Sequence, residues 1–158
     1  MKHMEDIFFS FTFGGECLSL AAALATIAEI ERKRVIKHLW RVGRMLKEGT
    51  HELLEKHDLH EFIELKGLPP WHVFAIRPAV GFSDLEIKSF IQQEMLKRSV
   101  LWTGSHNMSF SHGEQEVRIA LNAYDKAFGA LQDALHTRTL RSRLRGKSIQ
   151  GNYNVRNL

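Results

Sequence analysis

The sequence predicts an α+β fold: helices cover one face of a small antiparallel sheet, and long helices come before it. Three observations carry that expectation. Two alternating apolar stretches, Phe62–Lys66 and Trp71–Ile76, flank a Pro69-Pro70 turn. Long segments carry apolar residues at helical spacing, above all between residues 113 and 137. After the first helix the elements follow in the order helix, strand, strand, helix, strand, helix, with no internal repeat.

The totals set outer limits. A chain of 158 residues can bury one real core. With 44% hydrophobic and 25% charged residues it has an ordinary globular balance. No apolar run is long enough to span a membrane, so no membrane partner is expected. The first residues lack the pattern of a secretory signal. The single cysteine, Cys17, rules out an internal disulfide framework, and a reduced cytoplasm is the expected location.

The net charge of +4 is unevenly spread. Between His136 and Leu158 lie Arg138, Arg141, Arg143, Arg145, Lys147 and Arg156, and no acid. Set these aside and the remainder is slightly acidic. Only Tyr153 interleaves an aromatic ring, so a solvated or subunit-packing tail is expected there, and no nucleic-acid partner.

In chain order, Phe8-Phe9-Ser10-Phe11-Thr12-Phe13 is an extended aromatic run that ends at Gly14-Gly15. A helix over about Glu16–Ile30 follows, with Leu20, Leu24, Ile27 and Ile30 at helical spacing and alanines between them. Glycines let a ligand approach the backbone, and a helix start offers unpaired N–H groups. With the Thr12 hydroxyl they outline an anion cradle. This helix is apolar nearly all round, the pattern of a helix in a large interior. The charged run Glu31-Arg32-Lys33-Arg34 breaks it.

A second helix spans about Arg34–His57, with Ile36, Leu39, Val42, Leu46, Leu53 and Leu54 on one face. Gly43 and Gly49 inside it predict a bend or a close helix contact. His38, His51, His57 and His60 form no HExxH pattern, and no cysteine pair joins them, so no metal is expected. The hairpin comes next, with Ile63 and Leu65 facing inward. Ser83-Asp84 caps a helix of about Leu85–Arg98 that turns Ile87, Phe90, Ile91 and Met95 to the core.

Val100–Trp102 and Asn107–Phe110 read as a third, broken strand around the loop Thr103–His106. Ser111 and Glu114 have capping-box spacing. The final helix covers about Gly113–Thr137, with Val117, Leu121, Tyr124, Phe128, Leu131 and Leu135 in one stripe.

The run Phe11-Thr12-Phe13-Gly14-Gly15, with Glu29-Ile30 beyond the small-residue helix, resembles the class III aminotransferases. The likeness is strongest to the branch around glutamate-1-semialdehyde 2,1-aminomutase. Asn107-Met108-Ser109-Phe110-Ser111-His112, then Glu116 and Leu121, is similar to that family's last strand-to-helix junction, and Leu144-Arg145-Gly146-Lys147 to its tails.

The resemblance implies a fold-type I enzyme that uses pyridoxal 5′-phosphate (PLP). It assigns residues 1–31 to the end of the large cofactor-binding domain, 32–137 to the C-terminal small α+β domain and 138–158 to a basic tail. Thr12, flanked by Phe11 and Phe13, would then contact the phosphate of a cofactor held by the other subunit of a homodimer. The Schiff-base lysine, the aspartate of the pyridine nitrogen and the ring-stacking residues lie upstream in that family. No catalytic residue is therefore expected here, and Lys2 does not match the lysine motif.

The chain would act with a lysine-bearing upstream segment, in transferring an amino group to or within a small carbonyl substrate. The aminomutase's loop glutamate has no counterpart in Trp102–His106, which favours another carbonyl compound over glutamate semialdehyde. His106 and Asn107 are either substrate contacts or a satisfied loop pair. The alternative reading is a non-catalytic interaction or dimerisation module, or a vestige.

Overall fold

The computed structural model describes Thr12 and residues 14–150. The chain divides into two compact units, Met1–Ile36 and Lys37–Leu158.

In the first unit, α1 (Cys17–Arg32) is capped by the Glu16 side chain and buries none of its residues. Leu18, Leu20, Leu24 and Ile27 are all at least half exposed. The all-round apolar pattern thus makes a helix, as the sequence predicts, but among the described residues no interior surrounds it. Beyond the helix end, Arg34 takes the left-handed conformation, at φ 50°.

The second unit holds the α+β layer. Its elements are most of α2 (Val35–Lys56), then β1 (Ile63–Leu68), β2 (Trp71–Ile76), α3 (Asp84–Leu96), β3 (Ser105–Asn107), α4 (Glu114–His136) and α5 (Leu140–Arg143). The three strands are antiparallel in the order β1-β2-β3. Alternation decides the faces. Ile63, Leu65, His72 and Phe74 are buried, while Glu64, Lys66 and Trp71 are exposed. The fold is the predicted one, helices against one face of a small antiparallel sheet.

The main core joins β1 and β2 to Phe90, Ile91 and Met95 of α3 and to Tyr124, Phe128 and Leu131 of α4. A smaller cluster, Val42, Leu46, Met108 and Val117, ties α2 to the start of α4. Gly43 meets the Pro69-Pro70 turn, where a methyl group would overlap the Pro69 carbonyl oxygen and stand 2.9 Å from the Pro70 nitrogen. Gly49 faces Leu121 of α4. The close helix contact expected of the two glycines exists at Gly49; at Gly43 the neighbour is a turn.

Two local expectations are corrected. The third strand is Ser105–Asn107, which takes two residues read as loop and only the first residue of the expected Asn107–Phe110 stretch, and Val100–Trp102 is not a strand. Trp102 is nonetheless buried, which accounts for the apolar signal. Ser111 does not cap α4; Gly113 is the N-cap, and its N–H donates to Glu116 Oε2 at 2.8 Å. By contrast, Ser83 caps α3 as expected, and Glu86 completes a capping box with it.

Residues beyond α4 pack on α3. Leu140 is fully buried. Gln93 receives the Arg145 N–H at 2.7 Å and donates to the Arg143 carbonyl at 3.0 Å, and the Ile149 N–H reaches Ser89 Oγ at 2.8 Å. Arg141 forks onto Glu86, and Arg143 pairs with Asp133. Two of the basic side chains of this stretch are therefore matched by carboxylates.

Candidate functional site

The sequence-derived site residues are Phe11, Thr12 and Phe13. Phe11 and Phe13 lie outside the described residues. Thr12 is exposed in a turn that it shares with Gly14 and Gly15. A methyl group on Gly15 would meet nothing within 4 Å.

The helix start just beyond is not open as the sequence suggested. Glu16 accepts the Leu18 N–H at 2.8 Å and the Ser19 N–H at 2.6 Å. Hydrogen bonds from the Ser19 side chain and backbone, then from Leu18, hold the Glu16 carboxyl below its ordinary range. A carboxylate already fills the donors that an incoming anion would seek. What stays accessible for a phosphate is the turn: the Thr12 hydroxyl and a backbone with no Cβ at Gly14 and Gly15. The turn has room for an anion, whereas the α1 terminus does not.

A second polar cluster lies between the sheet and α4. Here the sequence expected at most a loop pair. Tyr124 Oη stands 2.7 Å from His106 Nε2, His106 Nδ1 stands 3.0 Å from His72 Nε2, and His72 Nδ1 stands 3.2 Å from the Pro69 carbonyl. The strand register puts His72 directly opposite His106. His72 is fully buried.

Burial is the main cause that lowers the His72 imidazole from its ordinary value, with Lys47 adding a smaller push. Burial likewise drives His106 down to about 3, helped by His72 and His112. It raises the Tyr124 hydroxyl well above its usual value, an effect partly offset by the Trp102 indole. All three groups are therefore neutral near pH 7. Both ring nitrogens of His106 are engaged, so it is the satisfied member that sequence reasoning allowed for. Its exposed neighbour Asn107 is not part of the chain of contacts.

His106 also forms part of the wall of a cavity of about 420 Å³, together with Trp102, Ser105, Asn107, His112 and Glu116. His112 Nδ1 accepts the Ser109 N–H at 3.1 Å, and Trp102 Nε1 is buried with no hydrogen-bond partner of good geometry among the described residues. Among the described residues no group of three or more His, Cys, Asp or Glu could hold a metal ion. No helix among them is long and apolar enough to cross a membrane.

No protein-family model matches the chain, and no curated protein matches it. A solved structure does: the PLP internal aldimine form of the FumI protein from Sphingopyxis sp. MTA144. The two share 27% identity at a TM-score of 0.64, over 86% of this chain and 32% of FumI. The chain thus spans about a third of the length of that protein. In fold and in part in sequence, it is similar to one portion of a PLP-bound protein.

Proposed function

We propose that these residues are the C-terminal part of a PLP-dependent class III aminotransferase or aminomutase, which moves an amino group to or within a small carbonyl compound. One observation carries the reading: 86% of the chain superimposes on 32% of a PLP-bound protein at 27% identity. In this reading residues 1–31 end the large domain, 32–137 form the small domain, and 138–158 are the tail. The setting is cytoplasmic, in keeping with a single cysteine.

PLP, when bound, supplies the electron sink for the amino-group chemistry. The residues of this chain would do something narrower. Thr12 donates its hydroxyl to the cofactor phosphate across a dimer axis, with Phe11 and Phe13 beside it. Gly14 and Gly15 let the phosphate approach the backbone. Glu16 keeps the α1 start closed to it, which leaves the turn as the gripping surface. The small domain closes one side of the substrate pocket. The lysine on which the chemistry depends comes from a lysine-bearing upstream segment, and the chain alone is inactive.

The exposed apolar side chains of α1 support the need for a covering partner. They equally favour the second reading, a dimerisation module without catalysis. Borohydride trapping with PLP separates these. The chain alone is expected to show no lysine fixed specifically to the cofactor. Activity is expected only with the lysine-bearing segment added, and Thr12→Val is expected to raise the PLP concentration that this mixture needs. A specific modified lysine in the chain alone would overturn the fragment reading. An inert mixture would favour the module.

A further inference from the structure

We propose that the groove between α3 and the strap after α5, residues 144–149, is a binding site for a small aliphatic carboxylate. The groove has a volume of about 550 Å³, within the range of small-molecule sites. It uses no residue of the Thr12 turn.

Helical spacing builds the first wall. Ser89, Gln92, Gln93 and Leu96 recur at the intervals that share one face of α3. The strap is the second wall, and its two pins hold it off the helix. The Arg145 N–H is bonded to Gln93 and the Ile149 N–H to Ser89. Those two anchors are one helical turn apart, about 6 Å. Four residues of extended chain would span about 13 Å. The strap therefore cannot lie flat between its pins, and it bends at Arg145 and Gly146. Leu101 and Trp102 supply the third wall.

Two properties of the lining select the ligand. The first is apolar surface: Leu96, Leu101, Leu144 and Ile149 join the Trp102 ring. Leu96 is 62% exposed and Leu101 82%, so both are uncovered among the described residues. The second is charge. Lys97, Arg145 and Lys147 line the groove, and among the described residues no Asp or Glu does.

The surplus is not cancelled nearby. Glu94 pairs with Lys97 and also with Arg98, one carboxylate between two cations. Arg141 and Arg143 are matched by Glu86 and Asp133. Arg145 and Lys147 have no carboxylate partner among the described residues. A carboxylate is the group that their neighbours on the same stretch already take. An aliphatic body on that carboxylate covers the leucines, which an inorganic anion would leave in water. An aliphatic cation would meet repulsion from all three basic residues.

The test is a titration of the ¹⁵N-labelled 158-residue chain with octanoate, followed by nuclear magnetic resonance. A Kd on the order of 1 mM is expected. The Trp102 indole signal and the amides of Gln92, Leu96 and Gly146 should move together. Those of Asn107 and Ala120 should hold; they line the His106 cavity, which shares Leu101 and Trp102 with the groove. Octylammonium and acetate should each bind at least about tenfold more weakly. Arg145→Gln combined with Lys147→Gln should weaken octanoate by about fivefold to tenfold. Both side chains are exposed, so the variant keeps its fold. Leu101→Ser, at an equally open position, should weaken it as well.

Equal affinity for octylammonium overturns the proposal, since only grease would then be read. So do shifts centred on Asn107 and Ala120, or on the exposed Trp71, and a double variant that binds like the parent. A second copy of the chain seated in the groove would give a concentration-dependent dimer that moves the same amides without octanoate. That outcome overturns it too.

Discussion

Gly43 of α2 and Pro69 of the hairpin turn are in backbone contact, with the glycine hydrogen where any other residue would put a carbon. Gly43→Ala should raise helix propensity by about 1 kcal/mol. Overpacking against a rigid carbonyl costs about 1–3 kcal/mol. The steric effect should win, because neither the helix nor a turn of two prolines can yield easily. A net loss of stability is expected in urea denaturation. Gly49→Ala is the control. Its new methyl group meets only the Leu121 side chain, nearest atom 2.7 Å, which can rotate, and stability should stay within about 1 kcal/mol of the parent.

Stability should rise with pH across the mildly acidic range. His72 and His106 are both held neutral in the fold, with pKa values below the ordinary one. The unfolded chain takes up protons at these sites below about pH 6.5, whereas the native chain does not. The unfolded state thus binds more protons, and native stability falls as the pH drops towards the folded values. His106, driven down to about 3, contributes a slope of about 1.4 kcal/mol per pH unit over that window, and His72 adds in the same direction.

Glu86, held at about 2 by Arg141, adds its own loss only below its ordinary value of 4.5. Between about pH 6.5 and that value the slope therefore belongs to the histidines. Thermal melts at stepped pH check this, and a flat profile there would contradict neutral buried rings.

Gln93 is the clamp on the strap that follows α5, with one bond to each of Arg143 and Arg145. Gln93→Ala should leave the core intact and loosen the strap. Trypsin should then cut after Arg145 and Lys147 well before it attacks α3 or α4. Unchanged cleavage would mean that Ser89 and Leu140 hold the strap without help.

The Arg141 guanidinium makes a fork onto Glu86 and lies 4.9 Å above the Phe82 ring. Arg141→Lys keeps the charge and loses the planar fork. It should destabilise measurably, and added salt should not restore the loss. Equal melting points for parent and variant would show that the pair is only a surface ornament of the fold.

Legibility in the sequence followed the range of the interaction. The α3 cap was readable because Ser83 and Glu86 settle it between themselves. The hairpin was readable because two prolines and alternating side chains decide it locally. β3 was not, since a polar Ser105–Asn107 becomes a strand only when β2 pairs with it. The start of α4 was readable to within a residue, but its capping box was misassigned because Ser111–Glu114 and Gly113–Glu116 share the same spacing, and Glu116 takes the Gly113 N–H.

At the candidate site, Thr12 and the glycines were visible as a turn, but the Glu16 side chain folding back onto α1 was not. The buried chain of His72, His106 and Tyr124 was the least legible feature. Periodicity turns His72 inward, yet its partners stand 34 residues away and further along the chain.

The tip of the hairpin has one more property. Pro69 and Pro70 carry no amide hydrogen, so the loop can receive bonds but cannot offer any. The apolar pair beside it, Leu68 and Trp71, is exposed and would otherwise invite another molecule to stack there. A strand that approached end-on would find half of its docking pattern missing. The two imino acids thus guard a greasy corner against self-association.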